Sequence, residues 1–100
     1  MNRRVVFSPE ARDDLRELTH YVAVNSGRAR ARGYVARIRD CCIGLSAFPA
    51  RGAPRDEIRP GLRIIGFERR AAILFHFDDR TVTIDRILYG GRSLGVPEED

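Results

Sequence analysis

Apolar positions are densest in the last third of the chain, Gly61 to Arg92, where the pattern predicts three consecutive strands. Ile64, Ile65 and Phe67 mark the first, Ala71 to Phe77 the second and Thr81 to Leu88 the third. The breaks, Glu68-Arg69-Arg70 and Asp78-Asp79-Arg80, are short and charged, so neighbouring strands must run antiparallel. Alternation puts Ala71, Ile73, Phe75 and Phe77 on one face of the second strand and Ala72, Leu74 and His76 on the other. In the third strand Val82, Ile84 and Leu88 are in phase, but so is Arg86. A bulge near Asp85-Arg86 would resolve the conflict by turning Ile87 inward.

Upstream the period changes. Arg3 to Phe7 is a short strand signal, and Ser8-Pro9-Glu10 then opens a helix. Ser8 can cap an orphan N–H, Pro9 suits the first helical position, and Glu10 suits the positive end of the helix dipole. Ala11, Leu15, Leu18 and Val22 form one apolar face. Gly27 fits the end of this helix. A second helix is expected from Arg28 to Ala47, with Tyr34, Ile38, Cys41, Leu45 and Phe48 as its apolar stripe and Pro49 as its stop. The short turn between the helices makes them an antiparallel hairpin. Phe48 to Pro60, with its prolines and Gly52, reads as a loop.

The expected architecture is therefore α+β with the order β-α-α-β-β-β. A helical hairpin packs on one face of a mainly antiparallel four-stranded sheet, in a single domain spanning 1–100. The other sheet face lacks cover within the chain, which predicts a partner. Residues 95–100 are expected to form a mobile tail.

Composition narrows the function classes. The chain has 100 residues and a net charge of +4, and all its basic residues other than histidine are arginines. Residues 28–55 hold seven of these against the single acid Asp40, so the basic charge belongs to one segment. That segment suits an acidic protein partner or a polyanion. Sequence-specific nucleic-acid binding is not expected from so small a net charge. No apolar run approaches membrane-spanning length, and Met1 to Glu10 has no signal-peptide core, so a soluble cytoplasmic protein is expected. Cys41 and Cys42 are adjacent, a poor geometry for a disulfide, and read as small buried hydrophobes. No metal or cofactor is implied: phosphate loops, HExxH and CxxC are missing.

His20 and His76 lie on different elements and read as structural. One polar group stands out: Arg63, early in the first strand of the meander, with Arg86, Tyr89 and Arg92 near the end of the last. Converged on one part of the sheet, they could hold a phosphodiester and polarise its leaving oxygen. The competing reading is ion pairing with Asp56, Glu57 or Asp85. On the second helix, Arg28, Arg32 and Arg39 cluster away from the apolar stripe. They form either a solvated face or a docking stripe for an acidic partner.

Three stretches, SPEARDDLRELTHYV, RDEIRPGLR and TIDRILYGGR, resemble the ParE branch of the RelE/ParE toxin superfamily, and the resemblance runs from Arg3 to Leu94. It implies the toxin of a type II toxin–antitoxin system, neutralised by a co-expressed ParD-like antitoxin whose flexible segment wraps over it. ParE-like members poison DNA gyrase by binding it, whereas RelE-like members cut mRNA on the ribosome. The RelE-like residue set is incomplete here. Ala71-Ala72 stands where a nuclease favours a basic side chain, and Tyr89 precedes Arg92 where the nuclease tyrosine usually follows. The ParE reading, a non-enzymatic toxin, is favoured; Tyr89 departs from it by standing where such chains often carry His. The implied target-binding candidates are Arg86, Tyr89 and Arg92. The antitoxin-binding candidates are Arg28, Arg32, Arg39, Leu74 and His76. Were the chain a ribosome-dependent nuclease, Arg63, Tyr89 and Arg92 would be catalytic. A third alternative is a non-toxic member that retains only antitoxin binding.

Overall fold

The computed structural model describes residues 2–90, so Arg92 and the expected tail at 95–100 lie outside the described residues. The elements run β1 (Arg4–Phe7), α1 (Pro9–Ser26), α2 (Arg28–Gly44), β2 (Ala53–Pro54), β3 (Arg63–Phe67), β4 (Ala71–Phe77) and β5 (Thr81–Tyr89). They build one sheet in the order β1-β5-β4-β3-β2. β1 is parallel to β5, and every other pair is antiparallel. The helical hairpin covers one face.

Helix α1 follows its sequence pattern closely. Ser8 Oγ accepts the Ala11 N–H at 3.0 Å, Pro9 opens the helix, and Ala11, Leu15, Leu18 and Val22 are the buried positions. Ser8 also donates to the Asp85 carbonyl, which ties the cap to β5. Gly27, at φ 96°, turns the chain directly into α2.

Helix α2 departs from expectation at its far end. It stops at Gly44 rather than Ala47, and its buried positions are Ala31, Tyr34, Ile38 and Cys42. Cys42 is therefore the enclosed cysteine, Cys41 is half-buried, and Phe48 is exposed. The cause is tertiary. Ser46 turns back to the first strand, its Oγ donating to the Arg3 carbonyl and its own carbonyl accepting the Arg3 N–H. A helix continued to Ala47 could not make both bonds.

The predicted loop also hides a fifth strand. Ala53 and Pro54 pair with Ile64 and Arg63 at the sheet edge. Proline is tolerated there because an edge strand can leave one N–H position unused. Gly52 makes the approach possible. Its φ is +72°, and a Cβ would sit 2.2 Å from the Ile64 carbonyl oxygen. The same segment delivers Leu62 to the far face of the sheet, where it packs with Leu74 and Leu88. That face thus has partial cover within the chain, contrary to expectation.

The bulge forms where the phase conflict predicts it. Leu74 pairs with Arg86 and Phe75 with Ile84, leaving Asp85 as the extra residue. Val82, Ile84 and Ile87 join the main core between sheet and helices, and Leu88 joins the cluster on the other face.

The β3–β4 connection uses a tight turn closed by the Arg70 N–H to the Phe67 carbonyl, with Glu68 at φ 50° and Arg69 at φ 65°. Two successive non-glycine residues in left-handed conformation are costly. Glu68 is held by Arg37 of α2, whose Nε and Nη2 donate to it at 2.8 and 3.1 Å. Arg69 has no such anchor among the described contacts. Arg69→Gly is expected to stabilise the fold by about 1 kcal/mol, because glycine relieves the left-handed strain. Chemical denaturation measures this, and an unchanged midpoint would refute the strain argument.

Candidate functional site

The structure separates the polar group that the sequence suggested. Arg63 pairs across the sheet with Phe75, whereas Tyr89 pairs with Ala71. Their partners are four residues apart on β4, about 13 Å along the strand. Arg63 faces its own neighbourhood, donating from Nε to the Arg51 carbonyl at 2.9 Å and from Nη2 to the Gly52 carbonyl at 3.3 Å. It thereby braces the loop before β2. Arg86 is clamped by Asp14 of α1 through Nε at 2.8 Å and Nη2 at 2.9 Å, and the Ile87 N–H donates to the same carboxylate at 2.9 Å. That pair, with Asp14 first among the causes, raises the Arg86 pKa. The acids expected as partners, Asp56, Glu57 and Asp85, hold neither arginine. Tyr89 packs edge-on against Tyr21 and Tyr34, at ring distances of 5.6 and 5.5 Å.

The hairpin arginines do come together. Arg28, Arg32 and Arg39 of α2 line an open groove of about 690 Å³, and Arg12 and Arg16 of α1 stand on its opposite side. Its apolar lining includes Phe7, Leu15, Ala23 and Val35, and no acidic residue lines it. An amphipathic segment with acidic flanks fits such a surface on both counts. The other two antitoxin-binding candidates are placed apart from it, on β4. Leu74 is 5% exposed beneath Leu62, so it is not at the surface. His76 is half-exposed and engaged, its Nδ1 lying 2.7 Å from Asp85 Oδ2, to which Arg59 Nη2 also donates at 3.0 Å.

Comparison with known proteins now decides the family. The profile of the ParE toxin of the type II toxin–antitoxin system parDE matches residues 5–94. The chain belongs to the ParE toxin family. Toxin ParE3 of Caulobacter vibrioides is 33% identical over 93 residues, which is 93% of this chain and 92% of that protein. Among solved structures, the chromosomal ParDE toxin–antitoxin system from P. aeruginosa superposes with a TM-score of 0.76 at 24% identity, covering 88% of this chain and 96% of that one. The RelBE2 toxin–antitoxin complex from Mycobacterium tuberculosis gives 0.67 at 24% identity, covering 92% and 95%. At that identity the two structures establish the fold.

Other features of this ParE toxin bear on its chemistry. Among the described residues no three His, Cys, Asp or Glu side chains gather as a metal set, and no helix is long and apolar enough to cross a membrane. Burial pushes the Cys42 thiol up to about 12 and also raises that of Cys41. Both are poor nucleophiles at neutral pH, where little thiolate forms. The aromatic cluster of Tyr21, Tyr34, Phe67 and Tyr89 is not legible in the chain, because its members come from four elements.

Two outcomes test this description. Asp14→Ala should cost about 2 kcal/mol of stability, since it strips the acceptor from a guanidinium and from the Ile87 N–H together. Asp14→Asn should recover part of that loss in the same denaturation measurement. Alkylation followed by mass spectrometry should modify half-buried Cys41 in the native protein, and Cys42 only on unfolding. Equal labelling rates would contradict the assigned burial.

Proposed function

We propose that this ParE toxin inhibits DNA gyrase by binding it, and that a ParD-like antitoxin neutralises it by laying an acidic amphipathic segment into the arginine-rimmed groove of the hairpin. The observation that carries the antitoxin half is the groove itself: an apolar lining without an acid, and five arginines of which only Arg16 has an acid partner, Asp13, among the described contacts. In free toxin these like charges repel one another, and an acidic segment would relieve that repulsion while covering the apolar lining. Arg28, Arg32 and Arg39 make the charged contacts in this reading. His76 on β4 is a peripheral contact reached by a wrapping segment.

Family membership and the state of the polar side chains support a target reached by binding. A nuclease of this fold needs free cationic groups gathered around the scissile phosphate. Here Arg63 is spent on two backbone carbonyls and Arg86 on Asp14. Tyr89 at the end of β5 and Arg92, three residues later in the sequence, are left to contact the target, together with Arg86 three residues before Tyr89. A cytoplasmic location follows from a gyrase target.

Purified gyrase incubated with the toxin should accumulate trapped, cleaved DNA, while total RNA from expressing cells stays intact. Translation-dependent mRNA cuts with unaffected gyrase would overturn the target half. Reversing Arg28, Arg32 and Arg39 together to Glu should weaken antitoxin binding at least about 100-fold and flatten its salt dependence. The variant should keep its melting temperature, since none of the three makes an ion pair among the described contacts. Undiminished antitoxin affinity would place the docking surface elsewhere.

A further inference from the structure

A second groove lies on the other side of the hairpin, and apart from Tyr89 the family reading gives its lining no role. It has a volume of about 590 Å³ and sits between the end of α1, the first turns of α2, the β3–β4 turn and Tyr89. Arg30, Gly33, Tyr34 and Arg37 line it from one face of α2, and Glu68 and Arg70 from the turn.

Three independent features there ask for an anion. The first is the start of α2. The amides of Arg28, Ala29 and Arg30 precede the first helical hydrogen bond, from Ala31 to the Gly27 carbonyl. No side chain caps them, and no acid stands in the first turn. Such an end presents free donors and the positive pole of the helix. The second is Tyr34. It is only 9% exposed, and its Oη is enclosed with no hydrogen-bond partner. An unpaired buried hydroxyl is destabilising, and natural folds keep few of them. Burial, then the neighbouring Tyr89 and Glu68, pushes its pKa up to about 12, so it remains a proton donor across the physiological range. The third is charge. Glu68 is taken up by Arg37 in a two-pronged ion pair, whereas Arg30 and Arg70 have no acidic partner among the described contacts.

We propose that this groove is a phosphate-binding site, taking a phosphate group carried on a nucleotide or on a nucleic-acid strand. The donors that line the groove come from different elements: the Arg30 and Arg70 guanidiniums, on α2 and on the β3–β4 turn, and the Tyr34 phenol, with the open helix start at Ala29 and Arg30 beside them. A tetrahedral oxyanion can accept from donors on several sides, whereas a planar carboxylate suits a single bidentate fork. The edge of the groove favours a nucleotide as carrier. Tyr89 lines it, and the half-exposed Tyr21 ring packs against Tyr89, offering aromatic surface to a base. Gly33 keeps the wall low: a Cβ there would meet only Arg37 Nη1, at 3.6 Å. The site does not depend on gyrase being the target or on what fills the hairpin groove.

The test is a titration of the purified full chain at constant ionic strength, followed by calorimetry and melting temperature. The ligands are inorganic phosphate, a 5′-mononucleotide, a short single-stranded oligonucleotide and, as controls, chloride and a glutamate-rich peptide. Phosphate and the mononucleotide should raise the melting temperature beyond the effect of chloride. An oligonucleotide that binds at least tenfold tighter than the mononucleotide, on the order expected from an added base-stacking contact, assigns the carrier as a strand; equal affinity assigns a free nucleotide. Arg30→Ala and Arg70→Ala should each weaken binding about tenfold. Tyr34→Phe should raise the melting temperature without ligand, because the unpaired hydroxyl is gone, yet weaken phosphate binding several-fold. A hydroxyl with no ligand role would give the first effect without the second, and that result would overturn the proposal. So would phosphate acting no better than chloride, or binding confined to the glutamate-rich peptide.

Discussion

The carboxylate of Asp14 fixes the relation between the two layers. It accepts three hydrogen bonds from β5, two from the Arg86 guanidinium and one from the Ile87 amide, directly after the bulge at Asp85. A bulged strand has lost one ladder position, so its backbone needs a donor or acceptor from elsewhere. Asp14 supplies it from the helix layer. The consequence is the phase of everything that follows. Ile87 enters the main core, Leu88 joins the opposite cluster, and Tyr89 returns to the helices between Tyr21 and Tyr34. Without the bulge, Arg86 would occupy a core position. With it, Asp85 meets His76 and Arg59, and Arg86 meets α1.

Much of this frame is legible in the chain. The four, three, four spacing of Ala11, Leu15, Leu18 and Val22 gives the buried face of α1 directly, because one amphipathic helix needs only local periodicity. The conflict at Arg86 gives the bulge. What local pattern does not give is set by distant partners. Ser46 leaves α2 early because Arg3 waits for it, which frees Phe48, and the buried stripe steps four residues from Ile38 to Cys42 rather than three to Cys41. Ala53 and Pro54 become a strand because Gly52 lets the backbone close on Ile64, although the same glycine and prolines read as breakers. Arg63 and Tyr89 are a different kind of miss. Two antiparallel steps restore the strand direction, so the start of β3 and the end of β5 must lie at opposite ends of the sheet. The connectivity contained that answer, and residue type alone pointed away from it.

Because lysine is missing, arginine performs several separate tasks. Arg86 and Arg37 are structural, each in a bidentate pair that joins a helix to the sheet layer or its turn. Arg63 braces a loop through carbonyls, a use that the forked guanidinium permits and a point charge would serve less well. On the grooves, Arg12, Arg28, Arg32 and Arg39 on one and Arg30 and Arg70 on the other have no acid partner among the described contacts, whereas Arg16 pairs with Asp13 and Arg37 with Glu68. This sorting separates scaffold from surface better than the net charge does.

Helix α2 carries the division further. At about 100° per residue, Arg28, Arg32 and Arg39 fall within about 40° of one another, and Arg30 and Arg37 fall on the opposite flank of the buried stripe. One helix therefore supplies cations to two surfaces that its own core-facing side keeps apart. The groove beside α1 is apolar-lined and has no acid in its lining, which suits an acidic amphipathic segment. The groove beside Tyr89 is walled by a helix start and a tight turn, which suits a compact anion. Both use the first turns of the helix, Arg28 on one side and Arg30 on the other, and Gly27 fixes where those turns begin. Occupants of the two grooves would thus meet the same helix end, and each would alter the field felt by the other across a separation of roughly one Debye length or less.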